Sequence, residues 1–395
     1  MRISRPFMVI VGIAICMFIM KVIIIFSLKI TPHAVEDWYI ASNVSQGHGY
    51  SLQNGPTALK TPIYPLFLIP FSFVHETGKQ WAAIMQHLLW LIATLALWKA
   101  LLLRFGKNFA FVGAIIFCVH PAYLYYPTVL ESTSLTVPLM IIFWWMAEQS
   151  LHSNSSIIPP LLVGWLAGLC QPLLIPCVIF LQLFFFGTVE IKRVLIIIIT
   201  ACIVFGPWTL RNAWTFGKFI PTKSPMWMNV YEGMNSTLNP LEIQKVEQAR
   251  KIMNDIQMEE IYKPIVLKEL RENPWTFVQQ AFHRFVQFWT VPDRYGHAVF
   301  SIEILLTRII PQCFLGIGMI ASGFIMWKHN DATLTQSTRF LLIPLFTILY
   351  VSIVYSLTQA ANIRFKLDIE WLQILLLFPL FHRVVNLKLV PGTRQ

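Results

Sequence analysis

Hydrophobic stretches of helical length alternate with short polar breaks along nearly the whole chain, and only the stretch from Arg211 to about Ser301 stays polar for long. Apolar runs of about 20 residues without period-two alternation predict membrane-spanning helices, not barrel strands. Such runs lie at Phe7 to Leu28, Gln80 to Leu103, Phe109 to Pro127, Leu130 to Leu151 and Ile157 to Gln171. They continue at Leu173 to Gly187, Val194 to Leu210, Glu303 to Trp327, Phe340 to Leu357 and Trp371 to Val385. Pro65 to Val74 is apolar but too short to cross, and is expected in or along the interface. The fold class predicted is an all-α integral membrane protein of about ten transmembrane helices. Arg2, Arg5, Arg104, Lys107, Lys192, Arg193, Lys328, Arg383 and Lys388 mark the inner loops and put both termini inside. Lys21 interrupts the first span close enough to its far end to snorkel outward.

The polar breaks divide the chain into an N-terminal membrane module (1–210), a helical extracytoplasmic cap (211–301) and a C-terminal membrane module (302–395). In the cap, Asn239-Pro240-Leu241-Glu242 has the form of a helix start with a capping residue, and Asn273-Pro274 begins another helix. Phe277, Ala281, Phe285 and Phe288 then form an aromatic stripe that is expected to pack on the spans or the interface.

The first outer break (29–65) is the densest in special residues. Between Thr31 and Pro65 stand Glu36, Asp37, Lys60, two histidines and three glycines. Thr31-Pro32 is expected to open a short helix that stops at Gly47, where a left-handed cap is easy. Asn54-Gly55 has the form of a tight turn, and Pro62 and Pro65 fix an extended exit.

Composition supports the membrane assignment. Of 395 residues 56% are hydrophobic and only 12% charged, with a mean hydropathy of +0.61, where soluble domains carry roughly a quarter charged residues. The net charge of +11 sits mainly beside the spans, which reports topology and lipid-phosphate contact and not nucleic acid. Six cysteines (Cys16, Cys118, Cys170, Cys177, Cys202, Cys313) lie in or beside apolar runs without CxxC spacing, and are expected to be buried free thiols.

Several residues on the outer face carry candidate chemistry. Glu36 and Asp37, as neighbours on a helix, point about 100° apart. A carboxylate beside an apolar surface gains basicity and suits a general base; two acids that merely solvate an interfacial helix are the plain alternative. Glu131 lies at the outer start of a span, as a third acid or an ordinary boundary residue. Lys60, Arg211, Arg364 and Lys366 face outward against the topology rule, and a lipid phosphate is the simplest reason. For Arg211 or Arg364 alone, an interfacial anchor explains the position equally. A divalent metal held by Glu36, Asp37 and one of His33, His48 and His120 is conceivable, but no HExxH or similar spacing supports it. There is no P-loop, dinucleotide fingerprint or serine elbow.

At these residues the chain resembles the polytopic GT-C-type glycosyltransferases, a group that includes aminoarabinose and protein-mannosyl transferases and bacterial relatives. EDWYIASNVSQGHGYSLQNGPTALKTPIYPLFL looks like that family's first outer loop, with Glu36 in the acid position before Ile40-Ala41, Asp37 in reserve, and Tyr64 in its Pro-x-Tyr-Pro. TVLESTSL resembles the second outer loop and contributes Glu131. GPWTLRNAWTFGKFIPTKS resembles a Pro-Trp-x-x-Arg-Asn signature carrying Arg211 and Asn212, and Tyr231 to Asn235 echoes a short element after it. PWTFVQQAFHRFVQFW looks like an amphipathic helix leading into the next span. ANIRFKLDIEW is similar to the last outer loop's Arg-aromatic-Arg run, with Lys366 for the second arginine and Asp368 where proline is common.

The resemblance implies a GT-C-like fold and inverting transfer of a sugar from a polyprenyl-phosphate carrier to a glycan, lipid or protein hydroxyl. The implied setting is a bacterial cytoplasmic (inner) membrane with the site facing outward. Glu36, Asp37 and Glu131 would be the catalytic acids; Lys60, Tyr64, Arg211, Asn212, Arg364 and Lys366 would bind substrate. A secondary transporter or lipid flippase is the competing class; those fold in repeated halves with charges near mid-membrane, and no repeat is visible here. On this reading, an early acid must share one wet pocket with Arg211 and Arg364.

Overall fold

A computed structural model describes residues 5–53, 55–74, 77–186, 190–234, 238–290, 302–328, 332–358, 362 and 364–388. Helix α1 (Arg5–Ser27) leads into the short α2 (Glu36–Ser45), the two-residue strands β1 (Ser51–Leu52) and β2 (Gly55–Pro56), and α3 (Ile63–Ser72). The long α4 (Gly78–Phe105) turns into α5 (Lys107–Val119) and α6 (Pro121–Tyr125), and then come α7 (Thr133–Ser153), α8 (Ile158–Cys170), α9 (Ile175–Phe186) and α10 (Ile191–Phe216). Four helices follow: α11 (Trp227–Met234), α12 (Pro240–Arg250), α13 (Asp255–Glu272) and α14 (Pro274–Trp289). Next, α15 (Ile302–Ile304) runs through a π-helical turn, Leu305–Ile309, into α16 (Ile310–Lys328). The last helices are α17 (Ala332–Thr358), α18 (Arg364–Leu375) and α19 (Phe378–Lys388).

Five described helices are long and apolar enough to cross a membrane: α1, α4, α10, Leu305–Lys328 and the Phe340–Thr358 part of α17. A sixth is gained if α5 and the Pro121–Thr128 segment, bent by 58°, count as one span. About ten were expected. The difference has local causes. Helix α8 has 13 residues and so runs about 20 Å, well short of a hydrocarbon core of about 30 Å. Gln171-Pro172 separates it from α9, and a turn separates α18 from α19. Helix α7 has the length, but it buries Thr133, Ser134, Thr136 and Glu148 against its neighbours. Glu148 is held there by two bonds from Arg104, at 3.1 and 2.7 Å.

Helix α18 lies at the centre, every residue from Phe365 to Leu375 buried. The charge-rich 364–370 stretch, expected as an outer loop, is therefore helical and interior. Its charges tolerate burial because they pair: Lys366 lies 3.5 Å from Glu370 one turn on, and Arg308 reaches Glu370 at 3.3 Å.

The stretch expected as the first outer loop also departs from expectation at its start. Helix α2 begins at Glu36, not at Thr31-Pro32, because Ala34 bridges Leu130 and the Leu130 amide donates to the His33 carbonyl at 2.9 Å. The segment before Glu36 is thus drawn out alongside another part of the chain. The far end agrees with the sequence: α2 stops at Ser45 and Gly47 has φ +82. Asn54 lies outside the described residues, as does Asn235.

Helices α11 to α13 share a small core of Tyr231, Met234, Val246, Met258, Tyr262 and Val266. Asn239 caps α12 as expected, its side chain accepting from the Leu241 amide at 2.9 Å. The stripe on α14 packs inward through Phe277, Ala281 and Phe288. Its opposite face exposes Trp275, Val278 and Phe282, which suits a helix lying in the membrane interface. All six cysteines are free; Cys170 and Cys177 are buried, but Cys16, Cys202 and Cys313 are exposed on spans, contrary to the expectation of burial.

Candidate active site

The stretch from Tyr50 to Lys60 has too little sheet of its own to hold its shape, since β1 and β2 pair over only two residues each. It is fixed from outside, from two directions. Arg211, at the end of α10, donates to the Thr57 and Tyr50 carbonyls, each at 2.8 Å, and so grips both sides of the hairpin. Its guanidinium lies 5.1 to 5.3 Å from the centres of the Tyr50, Trp208 and Phe216 rings. Asp255, the first residue of α13, accepts from the Thr57 hydroxyl and from the Ala58 and Leu59 amides at 2.9 and 3.1 Å. The Ser224 amide donates to the Ala58 carbonyl at 2.9 Å. Lys60 follows directly on this fastened segment.

Lys60 reaches back over the start of α2, 3.4 Å from Glu36 and 3.7 Å from Asp37. These three residues line a cavity of about 360 Å³ together with Glu131, Gln171, Lys223 and Arg364, a volume within the ordinary range for ligand sites. Arg364, at the start of α18, lies 2.5 Å from one oxygen of Glu131. The other oxygen of Glu131 accepts from the Tyr126 hydroxyl. Both oxygens of Glu131 are thus occupied, and its evident work is to hold Arg364.

The two neighbouring acids are driven in opposite directions. Burial opposes the charge on Glu36, but Lys60, a backbone hydrogen bond and Arg364 outweigh it and hold its pKa below the usual range, so Glu36 does not gain the basicity its sequence position suggested and acts through its accessible, ionised form. Half of its side chain is exposed, and it lines the cavity. Asp37 is buried; burial first, then Glu36 and Glu131, raise its pKa, although Lys60 and Arg364 pull the other way. Lys223 is pushed down to about 8, by burial and then by the neighbouring charges of Lys60 and Arg364. Lys60 and Arg364 already have carboxylate partners. Lys223 makes no hydrogen bond or ion pair among the described residues, and is the uncommitted cation of the cavity.

The structure therefore brings Glu36, Asp37, Lys60, Glu131 and Arg364 to one cavity, and leaves four other candidates outside its wall. Arg211 is spent on the hairpin. Asn212 is fully buried, donates to the Ile220 carbonyl at 2.9 Å and accepts from Arg211. Tyr64 is buried with its hydroxyl on Gln86 at 2.6 Å, and Gln86 in turn donates to the Pro127 carbonyl. Lys366 turns inward to Glu370 and Gln312. Asp368 accepts from Gln171 and Tyr355 at 3.2 and 3.1 Å. Arg211 and Arg364 thus do not converge as the sequence suggested. His33 and His48 are exposed, and His120 is buried 4.0 Å from Glu370. Among the described residues no three His, Cys, Asp or Glu side chains converge as metal ligands.

Sequence reasoning missed Lys223 and Asp255. A signal for Lys223 existed: it lies in the same stretch as Arg211, on the same expected outer face. Nothing local marked Asp255, whose partners are almost 200 positions away.

No protein-family model matches the chain, and no curated protein does. Among solved structures the chain is similar to the archaeal oligosaccharyltransferase AglB from Archaeoglobus fulgidus, in complex with an inhibitory peptide and a dolichol-phosphate. The TM-score is 0.46 and the identity 14%, over 97% of this chain and 52% of that one, so the chain spans about half that protein's length. At that distance the likeness assigns neither family nor activity.

Asp255→Ala removes the acceptor for two backbone amides and a hydroxyl. A loss of about 1 to 3 kcal/mol is expected, with faster amide hydrogen exchange at residues 57–60 and unchanged exchange in α4. Exchange at 57–60 equal to wild type would show that Arg211 suffices to hold the loop.

Proposed function

We propose that the chain is an inverting glycosyltransferase that moves a sugar from a polyprenyl-phosphate carrier to an acceptor hydroxyl on the extracytoplasmic side. The observation that carries this reading is a single cavity lined by an accessible carboxylate, Glu36, and by the cations Lys60, Lys223 and Arg364. Glu36 takes the proton of the acceptor hydroxyl. The acceptor oxygen forms a bond to the anomeric carbon from the side opposite the phosphate, and the carbon–oxygen bond to phosphate breaks with its electron pair going to the phosphate. Phosphate leaves without a protonating acid because fixed cations meet its developing charge. Arg364 is presented by Glu131, and Lys223 has no carboxylate to leave before it engages the phosphate. Lys60 bridges the acids and the phosphate side of the cavity.

The charge on Lys223 gives a pH test. Its ammonium is present below about pH 8 and is lost above it. Carrier binding is therefore expected to weaken as pH rises through about 8. Lys223→Arg should remove that fall, and Lys223→Met should show the weakened affinity at every pH. Binding that stays flat from pH 7 to 9.5 in the wild type would remove Lys223 from the phosphate site. The experiment for the reading as a whole is transfer of a labelled sugar from a synthetic polyprenyl-phosphate donor by the purified chain.

One observation favours transport instead. Lys366, Glu370, Arg308 and His120 form a buried ionisable cluster next to α16, of the kind that marks ion pathways. Uptake coupled to a proton gradient in vesicles, with no transfer product, would select that second reading.

A further inference from the structure

A second cavity of ligand size lies away from the candidate active site. It has a volume of about 440 Å³ and sits at the C-terminal end of α1, lined by Thr31 to His33 on one side and by His87 of α4 and by α6 on the other. Its walls are mainly apolar, with Met20, Ile24, Ile25, Leu124 and Tyr125 among them. Lys21 stands at its edge, six residues inside the helix end, roughly 9 Å along the axis. It does not snorkel to the helix end as its position suggested. Its Nζ lies within hydrogen-bond distance of Nδ1 of His87, at 3.2 Å.

As an ammonium Lys21 can only donate, so Nδ1 of His87 is then the acceptor and the ring proton sits on Nε2, 3.2 Å from the Thr128 hydroxyl. Neither this cavity nor the small one on the other side of Lys21 has an aspartate or glutamate in its wall. A lone cation inside a span costs about 3 kcal/mol unless something offsets it. The hydrogen bond to His87 offsets part of that cost but supplies no opposite charge.

We propose that this cavity is a binding site for an anionic phospholipid, with the phosphodiester on Lys21 and an acyl chain against Ile24, Ile25 and Leu124. Charge complementarity commits the site to that occupant. One cation matches the single charge of a phosphodiester, whereas a phosphomonoester carries about 1.5 to 2 charges near pH 7. The apolar walls, on a membrane-spanning helix, suit a chain and not a free ion. The bound lipid would touch Thr31 to His33, immediately before Glu36, and would brace the root of the first outer loop. The proposal does not depend on glycosyl transfer.

The test is native mass spectrometry of the full chain in detergent, titrated separately with phosphatidylglycerol, phosphatidylethanolamine and a polyprenyl monophosphate. Wild type should retain phosphatidylglycerol about fivefold better than phosphatidylethanolamine, the effect of one cation on an anionic head group. Lys21→Met should bring that ratio to about one, and Lys21→Arg should keep it. Ile24→Trp leaves the charge in place and fills the chain end of the cavity, so it should lower retention of phosphatidylglycerol; it decides the matter if Lys21→Met does not fold. An unchanged ratio in Lys21→Met, or unchanged retention in Ile24→Trp, overturns the proposal. So does polyprenyl monophosphate that outcompetes phosphatidylglycerol in wild type but not in Lys21→Met, which would give the site to the carrier.

Discussion

Glu36→Gln is expected to lower the turnover for sugar transfer by about 10²- to 10⁴-fold, the usual contribution of a positioned base, and to leave carrier binding in place. The substitution keeps the size and polarity of a side chain that is already half exposed, so helix α2 should persist. Lys60 keeps Asp37 as a partner at 3.7 Å. Asp37→Asn should cost less, about tenfold, because it weakens the seating of Lys60 without removing the proton acceptor. The reverse order of effects would give the base role to Asp37. A pH profile separates the two independently. Glu36 is held below the usual carboxylate range, so its ionised form is present above about pH 4.3 and is lost only as pH falls below that. Activity should then stay level on the acid side down to that region. Asp37 is raised, so an acid limb well above the ordinary aspartate range would implicate it instead.

Arg364→Ala should weaken carrier binding by about 10- to 100-fold, the loss of a charged hydrogen bond to phosphate. It also strands Glu131 with only Tyr126. Since the pair is partly exposed, with side chains 29% and 13% accessible, a stability loss of about 2 kcal/mol is expected, between the exposed and buried extremes. Adding Glu131→Gln removes the stranded charge. The double variant should regain stability and remain defective in binding. If binding returns with stability, Arg364 shapes the cavity and does not hold phosphate.

What the sequence revealed and what it hid follow from the range of the forces involved. Hydropathy marked the long spans because each is a local run, and Gly47 marked the end of α2 because a left-handed cap is a local need. The start of α2 was misplaced because the bridge from Ala34 to Leu130 is a contact between distant segments. Arg364 and Lys366 look alike in sequence, two residues apart. On a helix they diverge, so one meets the cavity and the other meets Glu370 in the interior. A pattern of charges cannot show that they cancel one another inside the protein, which is why 364–370 had the character of a loop. Arg211 has the composition of a phosphate ligand, yet its bonds go to the Tyr50 and Thr57 carbonyls. Only the folded chain shows which carbonyls stand near it.

The central claim is that the acids from near the start of the chain and Arg364 from near its end form one site for a sugar-bearing lipid phosphate. Mass spectrometry of the lipids that co-purify with Glu36→Gln and with Arg364→Ala tests it most directly. A glycosylated isoprenoid phosphate retained by the first variant and depleted from the second is the predicted result. Its absence from Glu36→Gln, or equal retention by both variants, would contradict the account.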